Sequence, residues 1–303
     1  MFHVEQNQKN QPSHCLVCDN KAFTKLFDLK DYFLSQESFS VYQCNHCGLG
    51  TTHPSPRPEN LGRYYETNDY ISHSGESRDL FSKVYQLVRK YTHARKYQLI
   101  RKYSSAGTLL DIGCATGEFL AYCSSKQMQV KGIEPSEKAR NIAVNRYHLE
   151  VFPEAQIDQF EAESFGIITM WHVLEHVPDI NLRMKDISRL LSNDGVAIIA
   201  LPNYLSKDAR HYKQFWAAWD VPRHLHHFNR KSFGRLANNH GFKVIGVLPM
   251  YFDSFYVSML SEKYKSGNTS LIRAFFQGLR SNLSAVSGQH EFSSLIYIIK
   301  KIV

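Results

Sequence analysis

The sequence predicts an α/β protein with a parallel sheet, preceded by a small cysteine-rich module. From Thr108 onward, apolar strand-like segments alternate with helical ones, the pattern that builds a parallel sheet. Before that point, four cysteines form two close pairs, Cys15 with Cys18 and Cys44 with Cys47. Among the 303 residues, 43% are hydrophobic and 21% are charged, which excludes a disordered chain, a collagen-like repeat and a coiled coil.

The polar N-terminal sequence MFHVEQNQKNQ is unlike a secretory signal. The longest apolar run, residues 196–201, is far shorter than the ~18–20 residues that cross a bilayer. We therefore expect a cytoplasmic protein. Lys and Arg outnumber Asp and Glu, for a net charge of +8, and this excess favours anionic partners without requiring a nucleic acid.

We predict a zinc-binding module at 1–60, a linker and helix at 61–107, and a main domain at 108–303. Three prolines at positions 54, 56 and 58 end the module, and an apolar helical period covers 79–103. The predicted strands are 108–112, 130–134, 149–152, 166–171, 196–201, 242–248 and 294–303. The predicted helices are 118–126, 136–146, 178–191 and 231–240. An irregular stretch at 203–229 and a mostly helical insertion at 253–288 complete the main domain.

Each cysteine pair has the Cys-x-x-Cys spacing of a metal-binding turn. Zn²⁺ prefers four soft ligands in a tetrahedron, and one such turn supplies two thiolates. Gly48 follows the second pair, where this turn favours a residue without a Cβ. We predict one structural zinc ion held by the four cysteines. The alternatives are a redox pair, buried structural thiols, or His14 or His46 in place of one cysteine.

The segment LLDIGCATGEFL carries the strongest signal for a ligand. An apolar strand ends at Asp111, and the loop glycines Gly113 and Gly117 let a ligand approach the backbone. The next strand ends with Glu134, whose carboxylate can bind ribose hydroxyls. The spacing D-x-G-x-x-x-G differs from the dinucleotide fingerprint, and Glu118 at the helix start would repel a phosphate. A cationic nucleoside, S-adenosylmethionine (SAM), fits better; solvated or capping carboxylates are the alternative.

Four motifs resemble those of class I SAM-dependent methyltransferases: LLDIGCATGEFL, GIEPS, MWHVLEHVPD and NDGVAIIALPN. With the paired cysteines before them, they resemble bacterial methyltransferases that act on sugars and related metabolites. The resemblance implies a Rossmann-like, seven-stranded sheet with an N-terminal zinc-ribbon-like module. The cofactor-binding residues that it implies are Asp111, Gly113, Cys114, Gly117, Glu134, Met170, Trp171 and His172. The family's third loop glycine is Ala115 here, and we expect little effect because alanine tolerates most of the same backbone.

The aromatic and histidine-rich stretch 203–229 follows the fifth strand, at the sheet edge where ligands bind. Aromatic faces bind sugars, and Arg and His bind hydroxyls or phosphate, so we predict a substrate lid. The alternative is that Trp216, Trp219 and Phe228 are core residues. The expected acceptor is an anionic, sugar-type small molecule: a sugar, a nucleotide-sugar or a polysaccharide precursor, methylated on oxygen or carbon. The alternatives are an RNA methyltransferase, although no dense basic run is present, and an inactive binding module.

A hydroxyl acceptor must lose a proton, and a neutral imidazole can take it. We predict that His224 is this base, that Asp220 orients it and that Arg223 anchors an anionic acceptor. His227 and His172 are the alternatives for the base.

The helical insertion repeats large apolar residues at helical spacing, with Arg273 and Arg280 beside them. These residues are Leu271, Ile272, Phe275, Phe276, Leu279 and Leu283. We predict a face packed on the core or against a second copy. A helix lying on a membrane surface is the alternative, and the sequence leaves the oligomeric state open.

Overall fold

The computed structural model describes residues 11–65, 80–288 and 290–302, and it leaves out the side chains of 80–87. The chain forms two compact units. The first comprises Met1–Glu66, His172–Arg183 and Ala200–Tyr297, and the second comprises Thr67–Trp171, Met184–Ile199 and Ile298–Val303. These units do not follow the boundaries expected at residues 60 and 107, and that domain division stays a prediction.

The strands follow one another along the described residues, several of them separated by helices. They are β1 (Phe23–Lys30), β2 (Ser38–Cys44), β3 (Gly50–His53), β4 (Thr108–Ile112), β5 (Gln129–Ile133), β6 (Val151–Phe152), β7 (Phe165–Trp171), β8 (Leu191–Pro202), β9 (His226–His227), β10 (Phe242–Pro249) and β11 (Ser294–Lys301). The α-helices are α1 (Leu80–Tyr103), α2 (Glu118–Ser124), α3 (Glu137–Tyr147), α4 (Ile180–Leu190), α5 (Lys207–Tyr212), α6 (Arg230–Asn239), α7 (Asp253–Ser266) and α8 (Leu271–Ser287). None of these helices combines the length and apolar composition that a bilayer crossing requires.

One sheet has seven strands in the order β10-β11-β8-β7-β4-β5-β6, and β4 pairs in parallel with β5 and β7. Its central strands are buried and mostly apolar, and Leu109, Leu110 and Ile168 have no exposed surface. All seven predicted strands are present, so the predicted α/β fold class is confirmed. Asp111 lies in β4 and Glu134 directly follows β5, which places both carboxylates at neighbouring strand ends.

The other sheet belongs to the first unit and has the order β1-β2-β3-β9. Strands β1, β2 and β3 form antiparallel hairpins, as expected for a cysteine-paired module. The fourth strand, β9, comes from the predicted lid: Gly50 lies opposite His227 and Thr51 opposite His226. A Cβ at Gly50 would lie 2.8 Å from the Cβ of His227, so glycine lets the two strands approach. The cysteine module and the histidine-rich stretch therefore share one sheet.

Three large aromatic residues of 203–229 are buried in the core, which opposes the expectation that their faces bind a sugar; the substrate lid itself stays a prediction. Trp216, Trp219 and Phe228 are 1–2% exposed. Each indole nitrogen has an acceptor within the protein, because Trp216 Nε1 donates to the buried Asp208 at 2.8 Å and Trp219 Nε1 donates to the Lys213 carbonyl at 2.8 Å. The stretch also contains α5, which begins where the Ser206 hydroxyl accepts from an amide of the first turn.

The helix α8 is amphipathic, but its apolar side faces outward. The large residues Leu271, Ile272, Phe275, Phe276, Leu283 and Val286 are 54–73% exposed. The residues that pack inward are Ala274, Gln277, Gly278, Ser281, Asn282 and Ala285. A Cβ at Gly278 would lie 2.8 Å from the Phe255 ring, so small residues bring α8 close to α7. Among the residues that the structure describes, nothing covers this apolar face, which favours a second copy or a membrane surface over the chain's own core.

Candidate functional site

The four predicted zinc ligands converge in the first unit. Their sulfur atoms all lie within 4.8 Å of one another, with 3.4 Å between Cys15 and Cys47 and 3.5 Å between Cys18 and Cys44. Four sulfurs around zinc at about 2.3 Å would be about 3.8 Å apart, so the cluster has the size of a tetrathiolate site. None of the four is in a disulfide. The proposed histidine substitutes, His14 and His46, lie outside this cluster.

The two cysteine turns have the same backbone geometry. The residue after each pair has a positive φ, +56° at Asp19 and +78° at Gly48. In each turn an amide returns to the first cysteine, as Asp19 donates to the Cys15 carbonyl at 2.8 Å and Gly48 donates to the Cys44 carbonyl at 2.9 Å. A Cβ at Gly48 would lie 2.6 Å from the Asn229 amide nitrogen, so packing as well as φ requires glycine there.

The glycine loop after β4 is left-handed at three positions in the second unit. Gly113, Ala115 and Gly117 have φ values of +75°, +49° and +79°. The expectation that Ala115 would have little effect is therefore wrong, since a left-handed alanine costs roughly 1–2 kcal/mol. At Gly117 a Cβ would lie 2.7 Å from a methyl of Leu149 and 2.8 Å from the Cβ of Ala143. Strain concentrated in one loop is typical of a ligand-binding segment.

Two buried carboxylates border this loop. Glu134 accepts from the amide of Ala115 and from the amide of Ser136, each at 2.9 Å, and burial raises its pKa. Asp111 is 3% exposed and accepts from the Thr169 hydroxyl at 2.5 Å. Burial raises the pKa of Asp111 to about 7, against the hydrogen bond from Thr169. The carboxylates suit a cationic ligand with ribose hydroxyls, which is the chemistry of SAM.

The remaining residues expected at the cofactor differ in exposure. Met170 has no exposed surface and Cys114 is 7% exposed. Trp171 ends β7, where Phe119 packs edge-on against its ring and Lys96 Nζ lies 4.2 Å from the ring centroid. Its indole nitrogen is buried without a hydrogen-bond partner in the described residues. His172 belongs to the first unit, and the role of each of these residues toward a cofactor stays a prediction.

His172 is held between two carboxylates of the first unit. Its backbone is left-handed, with φ +58°. The ring nitrogens lie 2.9 Å from Asp253 Oδ2 and 3.3 Å from Glu175 Oε1. Burial lowers the pKa of His172, but the two carboxylates outweigh burial and raise it to about 10. An imidazolium at this position is a poor base, so His172 is disfavoured as the alternative to His224.

The predicted catalytic residues do come together, but with other partners than expected. His224 is 8% exposed, and its Nδ1 lies 2.8 Å from the Ala218 carbonyl, which orients the ring. Asp220 Oδ2 is 3.9 Å from His224 Nε2, too far for a hydrogen bond, so Asp220 does not orient the imidazole as predicted. His224 as the base stays a prediction.

Arg223 is 2% exposed and its guanidinium is bound on all sides. Nη2 donates to Asp220 at 2.7 Å and to Asp31 at 2.9 Å, Nε donates to Asp220 at 3.0 Å, and Nη1 donates to the Tyr64 carbonyl at 3.2 Å. This arrangement opposes the predicted anchoring of an anionic acceptor, because the donors are already used within the protein. Sequence reasoning missed Asp31 as the partner, since it precedes Arg223 by 192 residues and no local pattern marks it.

Strand β3 fixes the backbone of the histidine stretch. The Thr52 hydroxyl donates to the His224 carbonyl at 2.6 Å, and the Thr52 amide donates to the Leu225 carbonyl at 3.0 Å. The Leu225 amide in turn donates to the Glu175 carbonyl at 2.8 Å. The cysteine module therefore positions His224 and Glu175 through main-chain hydrogen bonds.

Comparison with known proteins agrees with this geometry. A family model described as "Methyltransferase domain" matches residues 85–247. A ubiquinone biosynthesis O-methyltransferase of Bradyrhizobium diazoefficiens is 27% identical over 40% of this chain and 51% of its own length. A dTDP-4-amino-2,3,4,6-tetradeoxy-D-glucose N,N-dimethyltransferase of Saccharopolyspora spinosa is 29% identical over 54% of this chain and 57% of its own length. The chain thus spans about half the length of the curated relatives it matches.

Two solved structures share the fold. Geranyl diphosphate C-methyltransferase from Streptomyces coelicolor A3(2) has a TM-score of 0.55 at 14% identity, covering 82% of this chain and 100% of that one. The [4+2]-cyclase SpnF has a TM-score of 0.54 at 15% identity, covering 82% and 98%. These identities indicate the fold alone, and the cyclase shows that the fold serves more than one reaction.

Proposed function

Because the chain belongs to the family described as "Methyltransferase domain", we propose that it transfers the methyl group of SAM to a small-molecule acceptor. The observation that carries this proposal is the pair of buried carboxylates, Asp111 and Glu134, at neighbouring strand ends around a left-handed glycine loop. SAM supplies the methyl group on a positively charged sulfur, which is a good leaving group.

The chain's own residues would bind and orient this cofactor. Glu134 is held by two backbone amides, so its remaining lone pairs can accept from ribose hydroxyls. The carboxylate of Asp111 would face the positive charge of the ligand, which favours its ionised form. The left-handed Gly113 and Gly117 would let the loop backbone approach the ligand without side chains in the way.

For the four-cysteine cluster, we propose one structural Zn²⁺. Four thiolates would complete a tetrahedron and leave no position for water, so this ion would stabilise the module rather than take part in the reaction. The proposal is supported by the sulfur spacing and by the two matching turns at Asp19 and Gly48. Its place in function is indirect, since β3 of this module holds the backbone of His224.

We propose a sugar-type acceptor, either a sugar, a nucleotide-linked sugar or a polysaccharide precursor. The support is the similarity to the S. spinosa enzyme, whose name gives a dTDP-linked amino sugar as its substrate. The relatives named as ubiquinone biosynthesis O-methyltransferases favour a different small molecule, methylated on oxygen. Both belong to small-molecule methyl transfer, which a nucleic-acid acceptor does not.

Calorimetry with SAM tests the cofactor part of the proposal. Saturable binding should be lost in Asp111→Ala and strongly weakened in Glu134→Ala, while Asp194→Asn, an exposed acid on β8, should bind as the unchanged protein does. Methyl transfer is then measured on nucleotide-linked sugars, on ubiquinone precursors that carry a free hydroxyl, and on RNA at several salt concentrations. Tight NAD binding without SAM binding would overturn the cofactor, and transfer to RNA with a steep salt dependence would overturn the acceptor class.

We also propose that α8 rests on an anionic membrane surface. Six large apolar side chains are exposed on one side, and Arg273 and Arg280 lie one heptad apart beside them. Lys207, Arg280 and Phe276 line one surface concavity, so positive charge adjoins the apolar face. This is the arrangement of a helix that inserts apolar residues between anionic headgroups.

Vesicle flotation tests the membrane proposal. Vesicles of phosphatidylglycerol and phosphatidylcholine should carry the protein at low salt, and Ile272→Gln with Phe276→Gln should abolish this. Leu182→Gln, at a leucine on α4 that is 57% exposed, is the control for an exposed apolar side chain elsewhere. Absence of flotation together with a dimer that the double variant dissociates would contradict the proposal and assign the face to a second copy.

A further inference from the structure

Three side chains of the first unit form a cluster separate from the cysteines. Glu175, His176 and His224 each offer a ligand atom, and these three atoms lie within 4.8 Å of one another. Glu175 is 1% exposed and His224 is 8% exposed. The two imidazole rings meet edge to face with their centroids 4.5 Å apart. The cluster therefore combines two nitrogens and one carboxylate in a confined space.

Both histidines are held through Nδ1 by a main-chain carbonyl. His224 Nδ1 lies 2.8 Å from the Ala218 carbonyl, and His176 Nδ1 lies 3.0 Å from the Arg223 carbonyl. A carbonyl only accepts, so each Nδ1 carries the proton and each Nε2 keeps a lone pair. The Tyr65 hydroxyl oxygen, 2.9 Å from His176 Nδ1, can accept from the same N–H. Donation of one ring N–H to a carbonyl is the usual state of a histidine whose other nitrogen binds a metal.

The carboxylate of Glu175 is buried, and the contact that the structure gives it is the ion pair of one oxygen with His172. Both of its oxygens are inaccessible and accept no aligned hydrogen bond within the described residues. His172 Nδ1 approaches one of them at 3.3 Å, and the other has no such contact. A buried carboxylate oxygen without a hydrogen-bond donor is costly unless an ion or other ligand binds it. The second oxygen of Glu175, which His172 does not reach, therefore points to a ligand independently of the spacing of the cluster.

We propose that Glu175, His176 and His224 form a second metal site, which binds a divalent cation of the zinc, iron or manganese class. Two imidazole nitrogens and one carboxylate are the ligands that such ions take in sites with open positions. The donor set differs from the four thiolates, so the two sites should prefer different metal ions. A cation here would use the Nε2 lone pair that a base at His224 needs, so coordination and the predicted base role exclude each other in one molecule.

Titration of the full, untagged chain with Co²⁺ tests this site directly and without an activity assay. The thiolate site gives intense sulfur-to-cobalt charge-transfer bands, whereas two histidines and a carboxylate give only weak visible bands. We expect two equivalents per chain, the second without thiolate bands. A single equivalent with thiolate character in the unchanged protein would overturn the proposal, and this result needs no variant to fold.

Variants locate the second equivalent. Glu175→Gln and His224→Gln keep the size of the side chains, and each should weaken the second equivalent at least tenfold while the thiolate bands persist. His211→Ala, at an exposed histidine of α5, should bind as the unchanged protein does. If the second equivalent survives in both cluster variants, it is bound elsewhere and the proposal is wrong. Zn²⁺ content after dialysis, two equivalents falling to one in Glu175→Gln, is the corresponding result without cobalt.

Discussion

The buried carboxylate of Asp111 makes a strong prediction, because its charge is unfavourable in the ligand-free protein. Burial raises the pKa from 3.8 to about 7. At 1.36 kcal/mol per pKa unit, an ionised Asp111 costs about 4 kcal/mol of stability. The change Asp111→Asn removes the charge and retains an oxygen that can accept from Thr169. We therefore expect the variant to be more stable than the unchanged protein at pH 8.

The pH dependence of this gain has a defined sign. Between pH 4 and pH 7 the folded protein holds more protons at Asp111 than the unfolded chain does, so stability falls as the pH rises through this range. The gain in Asp111→Asn should accordingly be about 4 kcal/mol at pH 8, roughly 2 kcal/mol at pH 5 and close to zero below pH 4. Urea unfolding without SAM, followed by circular dichroism at each pH, measures it.

The same substitution should weaken SAM binding, because the ionised carboxylate would face a cationic ligand. In the unchanged protein, SAM affinity should fall as the pH drops below about 7, and in Asp111→Asn it should be weak and independent of pH. Asp194→Asn controls for a general effect of removing an acid. A variant that is no more stable than the unchanged protein at pH 8, or that binds SAM equally well, would refute this reasoning.

Three further changes test other parts of the structure. Asp31→Asn leaves the buried Arg223 with one carboxylate in place of two, so the free energy of unfolding in urea should fall by about 3 kcal/mol, and an unchanged value would contradict the buried ion pair. Ala115→Gly relieves a left-handed alanine, so the free energy of unfolding should rise by up to about 1 kcal/mol and the melting temperature should rise slightly. A lower melting temperature in this variant would show that the loop is unstrained. Cys44→Ser should lower the bound zinc by about one equivalent relative to the unchanged protein by metal analysis, and Cys123→Ala should keep the full content; equal zinc in both variants would disprove the four-cysteine ligand set.

Features encoded by neighbouring residues could be predicted from the sequence. The strands of the large sheet are apolar runs of strand length bounded by turns, and the two cysteine turns repeat one spacing, so both were found with nearly correct limits. The loop around Gly113 and Gly117 was found for the same reason. At Ala115 the prediction failed, because a residue's identity does not report the φ that its neighbours impose.

Contacts between distant segments could not be predicted. Nothing near Asp31 indicates that it holds Arg223, and Asp253 bears no mark of its pairing with His172. The aromatic residues around Trp216 presented a different difficulty, since a sugar-binding lid and a buried core have the same composition. Only the packing, in which both indole rings are buried and both indole nitrogens donate to acceptors within the protein, distinguishes the two.

The pairing of β3 with β9 has a consequence for how the chain is made. Thr51 meets His226 across 175 residues, which a ribosome adds in roughly 9–35 s at 5–20 residues per second. During that interval the nascent cysteine module presents β3 as an unpaired strand edge, open to other chains. If the thiolates bind a metal ion early, the hairpins would stay folded until β9 is synthesised and pairs with β3. Zinc supply during translation, rather than after it, should therefore govern how much of this protein escapes aggregation.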